Sequence, residues 1–149
     1  MKIIKSKITD VIEHGEVTVV EPVNLYGCEL RDGVFVGPFV EIQKNVLIKE
    51  NTKIQSHSFI CELVEIGSNC FIGHSVVFIN DLFSNDGPAQ GDKSLWKETK
   101  IGDNVSIGSN STILPVSVCN KVVIGAGSVV TKDINEPGIY AGNPARRIR

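Results

Sequence analysis

The chain is poor in the residues that build helices: its 149 residues hold 7 Leu and 4 Ala against 18 Ile and 19 Val. Branched side chains lose rotamer freedom in a helix and pack well on a pleated surface. A helical bundle is thereby excluded. Charge of one sign is also missing, since 15 Lys and Arg face 17 Asp and Glu, for a net charge of −2. No basic field exists that could wrap nucleic acid, so none is expected as a partner. No apolar run approaches the ~18 residues of a membrane span. The start, Met1-Lys2-Ile3-Ile4-Lys5, lacks the long apolar core of a signal peptide. Cys28, Cys61, Cys70 and Cys119 form no C-x-x-C pair and have no histidine at finger spacing. Reduced structural thiols are expected, with neither a disulfide nor a metal. These absences predict one soluble, cytoplasmic, all-β domain over residues 1–149.

What is present is a repeat. Aliphatic residues recur every six positions at Leu30, Val36, Ile42, Ile48, Ile54, Ile60, Ile66 and Ile72, then Phe78. The register breaks after Phe83 and resumes at Ile101, Ile107 and Ile113; one residue is then missing before Val118, Ile124 and Val130. A second column, four residues after each aliphatic, reads Val34, Val40, Val46, Thr52, Ser58, Val64, Cys70, Val76, Val105, Ser111, Ser117, Val122, Ser128 and Ile134. Every member is small or β-branched. Glycine often follows the aliphatic, as at Gly37, Gly67, Gly73, Gly102, Gly108 and Gly125.

Six residues suit one short strand and one corner. A single hexad cannot bury its inward residues, but stacked hexads share a continuous core. Three hexads close one triangular coil, and coils stack at the ~4.8 Å strand spacing. Hexads over about 18–83 and 101–134 predict five to six coils, a prism roughly 25 Å tall at that spacing. The rest divides into an insertion at 84–100 and a C-terminal segment at 135–149.

These repeats, with Ile124-Gly-Ala-Gly-Ser-Val-Val-Thr-Lys-Asp and Gly142-Asn-Pro-Ala-Arg, resemble the hexapeptide-repeat acyltransferases. The resemblance covers residues 24–149 and implies a left-handed parallel β-helix. Left-handed crossovers run against the general rule, so the hand comes from the resemblance and not from the spacing. Asn24-Leu-Tyr-Gly-Cys, Gly37-Pro-Phe-Val-Glu-Ile-Gln, Gln55-Ser-His-Ser-Phe-Ile-Cys-Glu and Phe78-Ile-Asn-Asp look closest to one branch. That branch comprises the N-acetyltransferases of nucleotide-linked amino sugars, notably dTDP-3-amino-3,6-dideoxyhexoses used in cell-surface glycans. The resemblance implies acetyl-CoA as co-substrate, a nucleotide amino sugar as partner, and homotrimers with sites between subunits. Phe35, Phe59 and Phe71, outward in their hexads, supply apolar area for such a trimer.

The break in register is the most informative local feature. Residues 84–100 carry Pro88, two glycines and the only tryptophan, Trp96. A long excursion from a compact repeat fold is commonly functional, so an ordered arm over an active site or a neighbouring subunit is expected. Counting by eighteen puts His57 and His74 outward on one face in successive coils. Asn80 and Asp81 follow on the adjacent face, just before the insertion leaves, so two imidazoles, an amide and a carboxylate are expected at one end of it. His14 lies outside the repeat. Zinc of the kind held by hexapeptide-fold carbonic anhydrases needs three histidines, and His57 and His74 are only two.

An acceptor amine attacks only when neutral and must lose a proton once the adduct forms. His57, ahead of His74, can accept it; alternatively the departing CoA thiolate does, with Asn80 and Asp81 as positioning groups. Both routes stay open. Gly108, Ala126 and Gly127 lack bulk, so backbone there can approach pantetheine amides. Lys132, Arg146 and Arg147 are candidates for the CoA phosphates. O-acetylation of a sugar or serine, and a β-helix serving as an inert scaffold, are the alternative functions.

Overall fold

A computed structural model describes all of residues 1–149. Nearly every strand is two or three residues long, and corners of three or four residues join most of them. They form three parallel sheets of seven, six and eight strands, to each of which every turn of the chain adds one strand. In the seven-stranded sheet Leu25 pairs with Ile42 and Ile42 with Ile60; in the six-stranded sheet Ile48 pairs with Ile66 and Ile66 with Ile101. The result is a parallel β-solenoid of about seven turns, consistent with a left-handed β-helix.

The stack is taller than the repeat suggests. Ile8–Thr9 and Ile12–Glu13 precede the expected hexads and, with Thr18–Val19 at their start, complete a first coil, one strand to each sheet. It escapes the hexad pattern because the step into it is seventeen residues, as in Ile8 to Leu25 and Glu13 to Leu30. A glutamate therefore occupies an aliphatic slot at the solvent end. His14 belongs to this coil, exposed, with Nε2 3.0 Å from Glu29 Oε1.

Each aliphatic from Leu30 to Val130 is at most 3% exposed. The corner column is buried with one exception. Ser117 is exposed and Val116 takes its place, because the five-residue step from Ile113 to Val118 shortens the preceding corner. Hydroxyls in this column have a reason to be there. Thr52 donates to the Gly67 carbonyl at 2.7 Å, Ser58 to Gly73 at 2.8 Å and Ser128 to Gly125 at 2.6 Å, so corner carbonyls keep partners inside the core.

Three residues after most aliphatics the backbone turns left-handed: Asn45, Asn51, Asn69, Asn104 and Asn110 have φ between +55° and +61°. Asparagine tolerates this region. Phe39, His57 and Leu63 occupy the same corners at φ +61°, +64° and +69°, where bulky side chains are uncommon.

At the far end Gly138–Gly142 joins the eight-stranded sheet and folds back antiparallel onto Ala145–Arg147. Tyr140 packs there against the core. The insertion leaves after Val77–Phe78 and returns at Thr99–Ile101, two residues earlier than its expected end; its one regular element is a short 3-10 turn, Lys93–Leu95. All four cysteines are free thiols. No helix is long and apolar enough to cross a membrane.

Candidate active site

Side chains flanking the inward residues of a strand point outward. On the seven-stranded face the lower coils present Asn24, Tyr26, Glu41 and Gln43, and the coils above present Phe59, Cys61, Val77 and Ile79. The lower group is hydrogen bonded: Asn24 Nδ2 donates to Glu41 Oε2 at 3.1 Å, and Gln43 Nε2 donates to Glu41 Oε1 at 3.0 Å. Burial, then the charges of Glu41 and Glu62, raise the Tyr26 hydroxyl above its ordinary pKa.

Where the insertion departs, a pocket of about 490 Å³ opens, lined by Phe59, Cys61, Ile79, Leu82, Phe83 and Trp96, with Gln43, Asn80 and Asp81 as its polar groups. Asn80 is 8% exposed, and its Nδ2 donates to the Glu62 carbonyl at 3.1 Å. Its Oδ1 remains the group that can meet an incoming donor. Asp81 is engaged by its own loop, with Oδ1 accepting from Phe83 N at 3.0 Å and Oδ2 from Ala89 N at 2.7 Å. Its carboxylate shapes the loop. The insertion is therefore ordered and folds onto this face, with Lys97 N donating to the Asn80 carbonyl at 2.9 Å.

The histidines are not in this cluster, which corrects the expected grouping. His57 and His74 lie on the corner between the eight- and seven-stranded sheets, whereas Asn80 and Asp81 lie beyond the other edge of the seven-stranded sheet. Counting by eighteen stacks the corners correctly, but His74 and Asn80 are separated by a whole strand, Val77–Phe78. His57 stacks on Phe39 one coil below, with ring centroids 4.9 Å apart. His74 N donates to Ser109 Oγ at 3.1 Å, and Asn110 N to the His74 carbonyl at 2.9 Å.

That same corner, higher in the stack, holds Gly108, Ala126 and Gly127. Gly108 is small for a reason other than ligand approach: an added Cβ would collide with the Ala126 backbone of the next coil. Ala126 and Gly127 are exposed, and a Cβ on Gly127 (φ +70°) would meet open space. Lys132, Arg146 and Arg147 converge on a separate cleft of about 200 Å³. Arg147 is bound to the Glu136 carboxylate at 2.6 Å and the Pro137 carbonyl at 3.1 Å. Lys132 and Arg146 are the exposed cations there without an ion pair. Phe35 and Phe71 lie on the eight-stranded sheet and Phe59 on the seven-stranded one, so these three phenylalanines do not form one patch.

Gln43, Glu62 and Lys93 were not singled out from the sequence. Glu62 is 7% exposed, yet it sits at an outward position of its hexad. Lys93 of the insertion covers its carboxylate, and no spacing encodes that contact.

Comparison with known proteins follows the repeat. The family described as the hexapeptide repeat of succinyl-transferase matches residues 98–132. The bifunctional protein GlmU of Carboxydothermus hydrogenoformans is 33% identical over 138 residues, 92% of this chain, which spans only 27% of that protein's length. Among solved structures, a maltose O-acetyltransferase from Clostridium difficile 630 superposes with a TM-score of 0.58 at 26% identity, covering 95% of this chain and 70% of that one. The S84C mutant of AntD, an N-acyltransferase from Bacillus cereus in complex with dTDP-4-amino-4,6-dideoxyglucose and coenzyme A, gives a TM-score of 0.59 at 22% identity, covering 94% of this chain and 82% of that one.

Proposed function

We propose that this hexapeptide-repeat chain is an acyltransferase, an acetyl-CoA-dependent N-acetyltransferase acting on the amine of a nucleotide-linked sugar of the dTDP-3-amino-3,6-dideoxyhexose type, in the synthesis of a cell-surface glycan. One observation carries the reading. The pocket beneath the insertion offers aromatic and aliphatic walls for a deoxysugar ring and one fixed amide, Asn80, whose Oδ1 can accept from an amine. An inert scaffold has no use for an insertion pinned at Asp81, Lys93 and Lys97 around such a pocket. The solved complex of AntD with a dTDP-amino sugar and coenzyme A, on the same fold, supports the substrate class.

The residues fit a CoA partner. Lys132 and Arg146 offer cations suited to phosphates, and the exposed corner at Ala126 and Gly127 leaves room for the chain of amides. No imidazole stands beside Asn80, which favours the route without a side-chain base. The amine nitrogen bonds to the acetyl carbonyl carbon, the carbon–sulfur bond breaks, and the amine proton passes to the departing thiolate. Asn80 holds the neutral amine in line, which is a positional contribution. Apolar side chains at Val77 and Leu114, on the seven-stranded face beside the pocket, fit a homotrimer. A neighbouring subunit would then complete the pocket, and the assembly would work in the cytoplasm.

O-acetylation is the second reading. The similarity to the maltose O-acetyltransferase favours it, as does the sharing of one corner by His57, His74 and the Ala126–Gly127 edge, since a hydroxyl needs a general base. A thiol-release assay with acetyl-CoA against a panel of dTDP- and UDP-amino sugars and neutral sugars decides. Release with amino sugars alone supports the first reading, release with neutral sugars the second, and no binding of acetyl-CoA the scaffold.

A further inference from the structure

One charged contact ties the insertion to the coil stack. Lys93 Nζ lies 3.0 and 3.2 Å from the two carboxylate oxygens of the buried Glu62. Through its backbone Glu62 also reaches the polar wall of the pocket: its N–H donates to Gln43 Oε1 at 3.3 Å and its carbonyl accepts from Asn80 Nδ2 at 3.1 Å. Lys93 Nζ in turn lies over Trp96, 5.3 Å from the ring centroid. Three pocket-lining side chains, Gln43, Asn80 and Trp96, are thus referred to Glu62 directly or through Lys93, while Glu62 and Lys93 themselves stay outside the lining.

We infer that Glu62 and Lys93 are positioning residues for the acceptor, fixing the distance between Trp96 on the insertion and Asn80 on the stack. The inference rests on the reading of the pocket as the acceptor site. Glu62 pulls the Lys93 ammonium above its ordinary pKa, with Lys44 and Tyr26 as the other titratable groups facing it. Lys44, the other cation facing Lys93, belongs to the coil stack and not to the insertion. Lys93 alone joins the insertion to the Glu62 carboxylate. Loss of Lys93 leaves a buried carboxylate without its partner and frees Trp96 from its cation.

The test uses the full chain with Lys93→Met and Lys93→Arg. Trp96, the only tryptophan, reports the docking of the insertion through acrylamide quenching. Lys93→Met is expected to raise the quenching constant about twofold and the acceptor KM about tenfold, with the KM for acetyl-CoA unchanged, as lost positioning implies. Lys93→Arg restores both. Wild-type quenching and wild-type acceptor KM in Lys93→Met overturn the inference, as does an equal rise in both KM values. If the single variant unfolds, the exchanged pair Glu62→Lys with Lys93→Glu carries the test, since a positional role predicts recovery of the acceptor KM. Failure of the wild type to release thiol with any amine removes the functional reading instead. Unchanged quenching sinks the tether independently of activity.

Discussion

Asn80 donates its side-chain amide to the backbone carbonyl of Glu62, 3.1 Å away in the coil below. This bond fixes which end of the amide faces the pocket, because the nitrogen is used and the oxygen is not. A side chain held this way can accept from a neutral amine at no further cost in rotamer freedom.

Replacing it should therefore damage the acceptor half-reaction. Asn80→Ala is expected to lower kcat/KM for the amino sugar about a hundredfold, equivalent to ~2.7 kcal/mol. Asn80→Asp should do no better, since its carboxylate would face the Glu62 carbonyl with no donor between them. Steady-state kinetics with acetyl-CoA held saturating checks both variants, and near-wild-type kcat/KM in either would remove Asn80 from the site.

The histidines give the opposite expectation. His57 and His74 lie across a strand from Asn80, so a double His57→Asn, His74→Asn variant should keep N-transfer within about tenfold of wild type and lose any O-transfer. Asparagine is chosen because the His57 backbone sits at φ +64°, which asparagine tolerates. A loss of N-transfer by several orders of magnitude would mean that an imidazole, supplied across a subunit interface, takes the proton.

The thiols make a prediction about the core. Burial pushes Cys28 up to about 11 and Cys61 up to about 12, and raises Cys70 in the same direction. A thiol raised in the folded state is neutral there when it has begun to ionise in the unfolded chain. Its contribution to stability is complete below the unfolded pKa of ~8.5 and declines above it. Melting temperatures should thus fall between about pH 9 and pH 11. At pH 8 a disulfide reagent should reach half-buried Cys119 first, Cys61 more slowly through the pocket it lines, and Cys28 and Cys70 only on unfolding.

The fold was legible because its core is written at fixed spacing: Leu30 to Val130 mark inward positions, and all of them are buried. Legibility ended where spacing changed. The seventeen-residue step hid the first coil, and the five-residue step moved the corner residue from Ser117 to Val116. The site was legible in part. Asn80, Asp81 and Trp96 lie next to the break in register and meet at one pocket. Glu62 and Lys93 are 31 residues apart and meet through a loop path no repeat encodes. The spacing sets Asn80 on the face adjacent to His57 and His74, but it does not show that the whole width of that face, the strand Val77–Phe78, lies between them.

Glycine in this stack is constrained unequally, which a pair of substitutions separates. A Cβ at Gly108 runs into the Ala126 backbone, and one at Gly73 would sit 2.7 Å from Ser109 N. Since backbone of a stacked coil cannot give way, Gly108→Ala should cost about 1–3 kcal/mol, lowering Tm by several degrees. At Gly127 space is open and only the left-handed φ of +70° is strained, so Gly127→Ala should cost about 1 kcal/mol. Equal melting temperatures for the two variants would show that coil contact is not what keeps Gly108 small.

The insertion separates a catalyst from a scaffold most sharply. Residues 86–97 contribute nothing to the aliphatic or corner columns, and the strand at Thr99–Ile101 restarts the six-stranded sheet without them. Replacing Asp86 to Lys97 by a short Gly-Ser link should therefore leave the coils folded, because closing a loop of different length changes the free energy by only about 1 kcal/mol. The change removes Lys93 but also uncovers Glu62 to water, so no buried charge is stranded. What is lost is Trp96, the lid over Phe59 and Ile79, and the Lys93 tether. Acetyl transfer to the amino sugar should fall by orders of magnitude through lost positioning. Acetyl-CoA binding, measured by calorimetry, should persist, since Lys132, Arg146 and the Ala126–Gly127 corner lie outside the deleted segment. Weakened acetyl-CoA binding would mean that the insertion also closes over the thioester. Full transfer activity in a folded deletion variant would place the acceptor elsewhere on the prism and detach the insertion from the chemistry.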